Sequence, residues 1–459
     1  MKSLQKVEKA FSGMIGLEIH TYLVTREKLF CQCVASREKG LQPNIHICPI
    51  CTGQPGAKPM RPNKTAVSQA VGIGLMLGCT INDFLPWQRK HYSWPDLPKG
   101  YQNTLSGTGA TPVGVSGKYH GISISEMHLE EDPASWNPDT GEIDYNRSGL
   151  PLVEIVTAPD FSTGEEVIDW LKKLLHGLAY LKAVDSDAGI KVDVNVSVNG
   201  GKRVEVKNIN SLEGVEGAIR YEFERQLKER VVMETRRYDE VQKRTMSMRE
   251  KEGAADYRFI RDPDLVSLSL KQGFILDLKK RLPEDPEKKL ATFMRLYKMD
   301  SASAALLTKH IDVAVFFEKV AEKIDPQFAL SWVTVELFRL LNEREASFAK
   351  VDISVEHFVL LLEMVKQGKI TVLQGKALLK QFYPRSFDPS VSVKGKITDE
   401  KELGKVIASV LSEEKKAVSD FRAGDVNALN FLLGAVMKKT EKRADYAITR
   451  RLLEGLLGK

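Results

Sequence analysis

The feature that most restricts the fold is Leu152-Val153-Glu154-Ile155-Val156, a carboxylate inside an otherwise aliphatic run. The segment reads as a fully buried strand. A carboxylate there must be paired, protonated or bound to a cation, because an isolated buried charge costs on the order of several kcal/mol. A structural ion pair would satisfy the requirement as well as chemistry would. The wider stretch Glu126–Asp160 adds His128, Glu130 and Glu131 in strongly β-forming surroundings.

Two further segments carry the same theme. From Met14 to Val24, Ile15, Leu17 and Ile19 alternate with Gly16, Glu18 and His20, so Glu18 and His20 project from one strand face. A lone pair of this kind is usually surface, yet an imidazole beside a carboxylate also suits a divalent cation. In ISISEMHLEED the alternation puts Glu130 and Glu131 on opposite faces. Glu131 shares its face with Met127 and Leu129, which makes it the expected buried ligand, while Glu130 shares a face with His128. In KVDVNVSVNGGKRVEVKNIN, Val192, Val194, Val196 and Val198 line one face and Asp193, Asn195 and Ser197 the other. A two-residue Gly-Gly loop would pair Val196 with Glu205 and mix the faces, so an odd loop or a bulge is required. With that register Asp193, Asn195, Glu205 and Lys207 gather on one surface, although an exposed hairpin face would look the same. Carboxylate-rich sites with few nitrogens suit Mg²⁺, and Mg²⁺ suits nucleotide phosphates. No GxxxxGK[ST] loop, kinase glycine loop or dinucleotide fingerprint occurs.

Four of the five cysteines form Cys31-x-Cys33 and Cys48-x-x-Cys51. Two close pairs on a short loop are the spacing of a tetrahedral Zn²⁺ site with four thiolates. Four protein ligands leave no open position, so this zinc is expected to hold structure. Cys79 reads as a small core residue.

The chain of 459 residues, 42% hydrophobic and 28% charged, has the composition of an ordinary globular protein of about three domains. No run of apolar residues is long enough to span a membrane, and MKSLQKVEKAFSG lacks the apolar core of a signal peptide. A cytoplasmic protein is expected, without membrane attachment. The net charge is +6, and residues 401–459 hold 12 Lys+Arg against 8 Asp+Glu. That asymmetry favours a basic tail meeting RNA.

Up to about residue 280 the pattern is mixed. The best helix runs from about Gly164 to Leu181, with Ser162 and Glu165 as a capping box. A second follows Ser211 to about Glu229. Leu282–Lys289, with two prolines, reads as a boundary. Residues 290–382 are helix-periodic, Tyr383–Lys396 reads as a linker, and short helices follow Thr398. The expected fold class is α+β.

Many ordered segments carry a resemblance: GLEIH (16–20), PDLPKGYQ (95–102), HLEED (128–132), NRSGLPLVEIVTAPD (146–160), VEVKNINS (204–211), ETRRYDE (234–240), DYRF (256–259), DPDL (262–265) and DFRAGDVNALNFLLGAVMKKT (420–440). Together they resemble the GatB component of the tRNA-dependent amidotransferase GatCAB. The resemblance implies a mixed, kinase-like catalytic cradle over 1–285 with a zinc knuckle at 31–51, an all-α helical domain over 290–385 and a small YqeY-like, tRNA-binding tail over 397–459. It implies that ATP phosphorylates the side-chain carboxylate of Glu on tRNA(Gln) or Asp on tRNA(Asn), after which ammonia displaces the phosphate. Carried over by motif, Glu18, His20, Glu131 and Glu154 are implied Mg²⁺ ligands, Glu131, Glu154 and Lys207 catalytic residues, and Asp193, Asn195 and Glu205 the flanking nucleotide site. Lys191 departs from the pattern, where many relatives carry Arg. The chain contains no amidase-like Gly-Gly-Ser-Ser run, so ammonia is expected from a GatA-like glutaminase partner, with a small GatC-like partner bridging the two. A zinc-knuckle RNA-binding scaffold with a structural acidic face is the competing expectation.

Overall fold

In the computed structural model, residues 13–38, 40–184, 189–250, 257–392 and 395–458 are described. The N-terminal MKSLQKVEKAFS and Asp256 of DYRF therefore lie outside the described residues. The chain divides into two compact units, Met1–Glu287 and Lys288–Lys459. No helix among the described residues is long and apolar enough to cross a membrane.

The first unit is built on one twisted sheet. Its main path comprises β1 (Gly13–Tyr22), β2 (Gln88–His91), β3 (Gln102–Thr104), β4 (Ile122–Glu131), β5 (Pro151–Thr157), β6 (Lys191–Val198), β7 (Val204–Ile209), β8 (Glu234–Asp239), β9 (Arg244–Glu250) and β10 (Arg258–Arg261). The spatial order is β9-β8-β7-β6-β1-β5-β4-β3-β2-β10. All neighbours on this path are antiparallel except β7 and β8, which run parallel across the helical crossover that joins them. β1 lies at the centre, where Ile15, Leu17 and Ile19 are buried with Val153 and Ile155 of β5 and Val192, Val194 and Val196 of β6. This apolar face is covered by α1 (Lys64–Met76), α2 (Gly164–Leu181) and α3 (Leu212–Lys228), whose Ala70, Val167, Leu171, Leu174, Val215 and Ile219 enter the same core. The opposite face carries the charged members of the alternation in β1 and β6 and Glu205 and Lys207 of β7.

The helix ends follow side-chain capping, with one shift from expectation. α2 is capped by Thr163, whose hydroxyl accepts from Glu166 N, while the Glu166 carboxylate accepts from Ser162 N at 2.8 Å. The cap thus lies one residue later than Ser162, and the Glu166 carboxylate reaches past the N-cap to the Ser162 N–H instead of closing a reciprocal box with Thr163. α3 is capped by Ser211, which accepts from Gly214 N. Pro286 begins the helix Pro286–Leu296 rather than only ending an element, a position where its missing N–H costs nothing.

The β6–β7 hairpin has the odd loop that the face pattern demanded. Asn199 and Gly200 take positive φ, Gly201 N donates to Val198 O, and residues 199–203 close the turn. Asn195 then stands opposite Glu205 and Val196 opposite Val204.

The second unit contains two separate apolar clusters. One spans Phe293 to Phe382 and includes Phe317, Trp332, Phe358 and Leu362. The other spans Ile397 to Leu457, formed by the helices Glu400–Glu413, Lys415–Arg422, Asn427–Lys439 and Tyr446–Leu457.

A network of four charged side chains lies on the helix side of the sheet, between α3 and β8. Arg225 of α3 meets Glu222 at 2.8 Å and Glu234 at 3.0 Å, and Arg236 meets Glu234 at 2.9 Å and Glu222 at 3.3 Å. The four charges close a neutral ring that ties α3 to β8, and Thr245 of β9 donates to Glu222. Arg225→Met keeps the apolar stem and removes the cation, leaving two buried carboxylates to one arginine. Its cost is expected to be about 3 kcal/mol in chemical denaturation, within the range for breaking a buried ion pair. A loss under about 1 kcal/mol would mean that the ring is solvated in solution.

Candidate active site

Strand register assembles the site. His20 stands opposite Glu154 on β5, Glu154 opposite His128 on β4, Glu18 opposite Asp193 on β6, and Asn195 opposite Glu205 on β7. Each of these residues occupies the non-core phase of its strand, so they form one row across five adjacent strands.

At one end of the row, His20, Glu130 and Glu154 can each offer a ligand atom within 4.8 Å of the others. His20 Nε2 lies 3.3 Å and His128 Nε2 3.0 Å from the same Glu154 oxygen. Glu130 Oε2 lies 3.8 Å from His128 Nε2. His20 Nδ1, His128 Nδ1 and Glu130 Oε2 are buried without a hydrogen-bond partner among the described residues. Burial alone would raise the Glu154 carboxyl, but His128 and His20 outweigh it and hold it well below the usual carboxylate range. Burial likewise opposes the charge on His20, yet Glu154 overcomes it and the imidazole is pushed up to about 9. Without a cation the histidines themselves supply the positive charge. A divalent ion fits this donor set of one imidazole and two carboxylates, with a buried oxygen already lacking a partner.

The second group is Glu18, Asp193 and Glu205, again within 4.8 Å. Lys207 Nζ reaches Glu205 at 2.7 Å and Asp193 at 3.3 Å. A bulge shapes this corner: Val192 pairs with Ile209 but Val194 with Val206, so Lys207 and Asn208 together face Asp193. Asn208 takes φ 61° there, and its N–H donates to Asp193 Oδ1 at 2.7 Å. Asn195 Nδ2 donates to Glu18 Oε1 at 3.1 Å, fixing one oxygen of that carboxylate.

Glu131 is not in the row. It shares the phase of Met127 and Leu129, as the alternation implied, but that phase is the core phase of the sheet. Its carboxylate is paired with Lys99 and accepts from Asn103 N at 2.9 Å. Glu130, opposite Leu152 on β5, is the carboxylate of this strand that comes within 4.8 Å of His20 and Glu154. The sequence displayed the shared face of His128 and Glu130, but only the β4–β5 pairing joins that face to Glu154. Lys90 of β2 carried no sequence signal at all. Its Nζ lies 4.7 Å from the Tyr257 ring centroid. Burial opposes its charge, but Glu130 and Glu154 outweigh burial and raise its pKa.

The four cysteines Cys31, Cys33, Cys48 and Cys51 converge within 4.8 Å. Cys51 Sγ lies 3.9 Å from Cys48 Sγ and 4.0 Å from Cys33 Sγ, and Cys48 N donates to it at 3.2 Å. Gly53 closes the knuckle with φ +68°, where a Cβ would stand 2.2 Å from Pro98 O, so only glycine fits. The set fits a tetrahedral thiophilic ion. Cys79 is buried against Gly114 and Gly117, apart from this cluster.

Glu18 provides a measurable consequence of crowding. Burial, then Glu154, Glu205 and Asp193, raise its carboxyl above 4.5. A carboxyl raised in the folded state penalises folding above that folded value, and the penalty vanishes as pH falls below the unfolded value. Without added Mg²⁺, Glu18→Gln is therefore expected to raise the unfolding temperature at about pH 8, with the gain shrinking toward about pH 4. A midpoint unchanged or lowered at about pH 8 would contradict this.

Comparison with known proteins identifies the family. Residues 13–276 match the family described as the GatB/GatE catalytic domain, and residues 315–457 match the family described as the GatB domain. A protein of Methanopyrus kandleri, named as the B subunit of an aspartyl/glutamyl-tRNA(Asn/Gln) amidotransferase, is 42% identical over 96% of this chain and 97% of its own length. Proteins of the same name from Methanothermobacter thermautotrophicus and Methanocaldococcus jannaschii are 41% and 38% identical, over 96% and 97% of this chain and 99% and 98% of their own lengths. Matched along nearly its whole length, the chain belongs to the GatB/GatE family of tRNA-dependent amidotransferase subunits.

Proposed function

We propose that this chain activates the side-chain carboxylate of Glu on tRNA(Gln) or Asp on tRNA(Asn) with ATP and passes it to ammonia. The observation that carries the reading is the unbalanced row. Glu18, Glu130, Glu154, Asp193 and Glu205 line it, against the ammonium groups of Lys90 and Lys207 and the imidazoles of His20 and His128, which still leave more carboxylates than cations. Such an excess of negative charge calls for a divalent cation, and a cation in that setting calls for phosphate. The relatives are named for tRNA(Asn) and tRNA(Gln), which supplies the acceptor class.

The reaction needs no protein nucleophile. An oxygen of the substrate carboxylate attacks the γ-phosphorus and ADP leaves; ammonia then attacks the carbonyl carbon and inorganic phosphate leaves. His20, Glu130 and Glu154 would hold Mg²⁺, with Glu18, Asp193 and Glu205 as a second carboxylate set. Bound there, Mg²⁺ offsets charge on the polyphosphate. Lys207 and Lys90 bring ammonium groups to the row and hold phosphate oxygens, and Asn195 orients Glu18. The work of the chain is positioning and charge. Ammonia comes from a GatA-like glutaminase partner bridged by a small GatC-like partner, and the basic tail over 397–459, with exposed Lys415, Lys416, Lys438, Lys442, Arg450 and Arg451, takes up tRNA. The cysteine knuckle holds one structural Zn²⁺.

In the reconstituted complex, ATP γ-phosphate consumption should depend on misacylated tRNA. Glu154→Gln or Glu130→Gln should reduce acyl-phosphate formation by at least about 100-fold while sparing folding and tRNA binding, the scale of losing a few kcal/mol of charge stabilisation. Added ammonium should not restore the variants, since the defect precedes amide formation. Near-normal amidation by both variants with ammonium would return the row to a structural role.

Elemental analysis should find about one zinc per chain, and Cys48→Ser should lower zinc content and stability more than the phosphoryl-transfer rate. Protein purified without chelators and free of zinc would refute the metal assignment.

A further inference from the structure

Lys28 is among the largest fully buried side chains, with 1% of its surface exposed. Among the described residues no carboxylate lies within ion-pair distance of it. Its Nζ instead lies 3.6 Å from Cys51 Sγ and 3.1 Å from Tyr145 O, to which it donates. A buried ammonium served only by a neutral thiol and one carbonyl would be costly. The same contact becomes favourable once the sulfur is a thiolate bound to a divalent ion. Four thiolates around such an ion leave about two net negative charges in a protein interior, and outer-shell donors are what stabilise sites of this kind.

We propose that Lys28 belongs to the cysteine site as its counter-ion: a positioning residue that donates N–H···S to the Cys51 sulfur and so sets the affinity for zinc. The inference rests on the zinc reading given above. The second bond of Lys28 gives it a further role. Tyr145 begins the loop that enters β5, and the same loop clasps the knuckle at several points. Ser148 Oγ donates to Cys51 O at 2.7 Å, Leu29 N donates to Gly149 O at 2.8 Å, and Asn146 Oδ1 accepts from Ile45 N and His46 N at 2.9 Å. One ammonium therefore joins a zinc thiolate to the backbone that leads, within ten residues, to Glu154. The backbone reinforces the arrangement, because Lys28 N donates to Cys33 O at 3.0 Å and holds the first cysteine pair in the same turn.

Lys28→Met in the full chain removes the charge and the donor while filling the same space. Competition with a chromogenic chelator should show zinc affinity reduced by about 10- to 100-fold, the usual effect of losing an outer-shell partner. With Co²⁺ in place of zinc, the thiolate-to-cobalt charge-transfer band should move to longer wavelength, because a thiolate without its hydrogen bond gives up an electron more easily. Lys28→Gln, which can keep an N–H donor without the charge, should fall between wild type and Met in both measurements and serves if the Met variant does not fold. Both variants holding zinc within about two-fold of wild type, with the cobalt band unmoved, would overturn the proposal while leaving the zinc reading intact. Wild-type protein that takes up neither zinc nor cobalt would overturn the zinc reading and this inference together.

Discussion

The pairing of β1 with its two neighbours is the constraint on which the rest depends. Because a strand alternates its side chains with a period of two, placing His20 opposite Glu154 also places Glu18 opposite Asp193 and sends Ile15, Leu17 and Ile19 into the core. A slip of one residue would bury Glu18 and His20 among Val167 and Leu171 and expose the isoleucines. The apolar face thus enforces the charged one, and the helices that cover the core act at a distance on the geometry of the row. Elements far apart in sequence, Glu18 and Glu205 among them, meet because the apolar side allows only one register.

Much of this is legible in the sequence where a rule is local. The alternation along β1 and β6, the need for an odd turn before Val204, the cysteine spacing and the tail helices all follow from short-range periodicity or ligand count. The departures lie where the answer depends on a second strand. Glu131 shares a face with Met127 and Leu129, and from one strand alone its burial suggests a metal ligand. In the fold that face is the helix-covered one, and the carboxylate is satisfied there by Lys99 and Asn103. Glu130 is the neighbour of Glu154 through a pairing no single strand encodes. The cap of α2 falls on Thr163 instead of Ser162, since adjacent hydroxyl residues offer two start positions and the sequence does not choose between them. Lys90 and Lys28 are silent in the sequence, since a lysine in a strand or loop reads as surface until its neighbours are known.

The two metal-suited clusters differ in what they ask of the chain. The cysteines are two close pairs between positions 31 and 51, so their geometry is local in sequence and depends on Gly53 and the loop that ends at Leu150. The carboxylate row draws on five strands and depends on the whole sheet. The loop 145–150 meets both, clasping the knuckle and then becoming β5. Disturbance of the smaller site would therefore be felt first at Glu154, and least at Glu205 on the far side of β1.

The closed ring of Glu222, Arg225, Glu234 and Arg236 has a consequence of its own. It sits on the helix side of the sheet and sums to zero, whereas the row on the other side carries more carboxylates than ammonium groups. The sheet thereby acts as an electrical partition with one compensated compartment and one in deficit. The protein can thus hold charged groups on both faces of a thin sheet while leaving unmatched carboxylates on one face only.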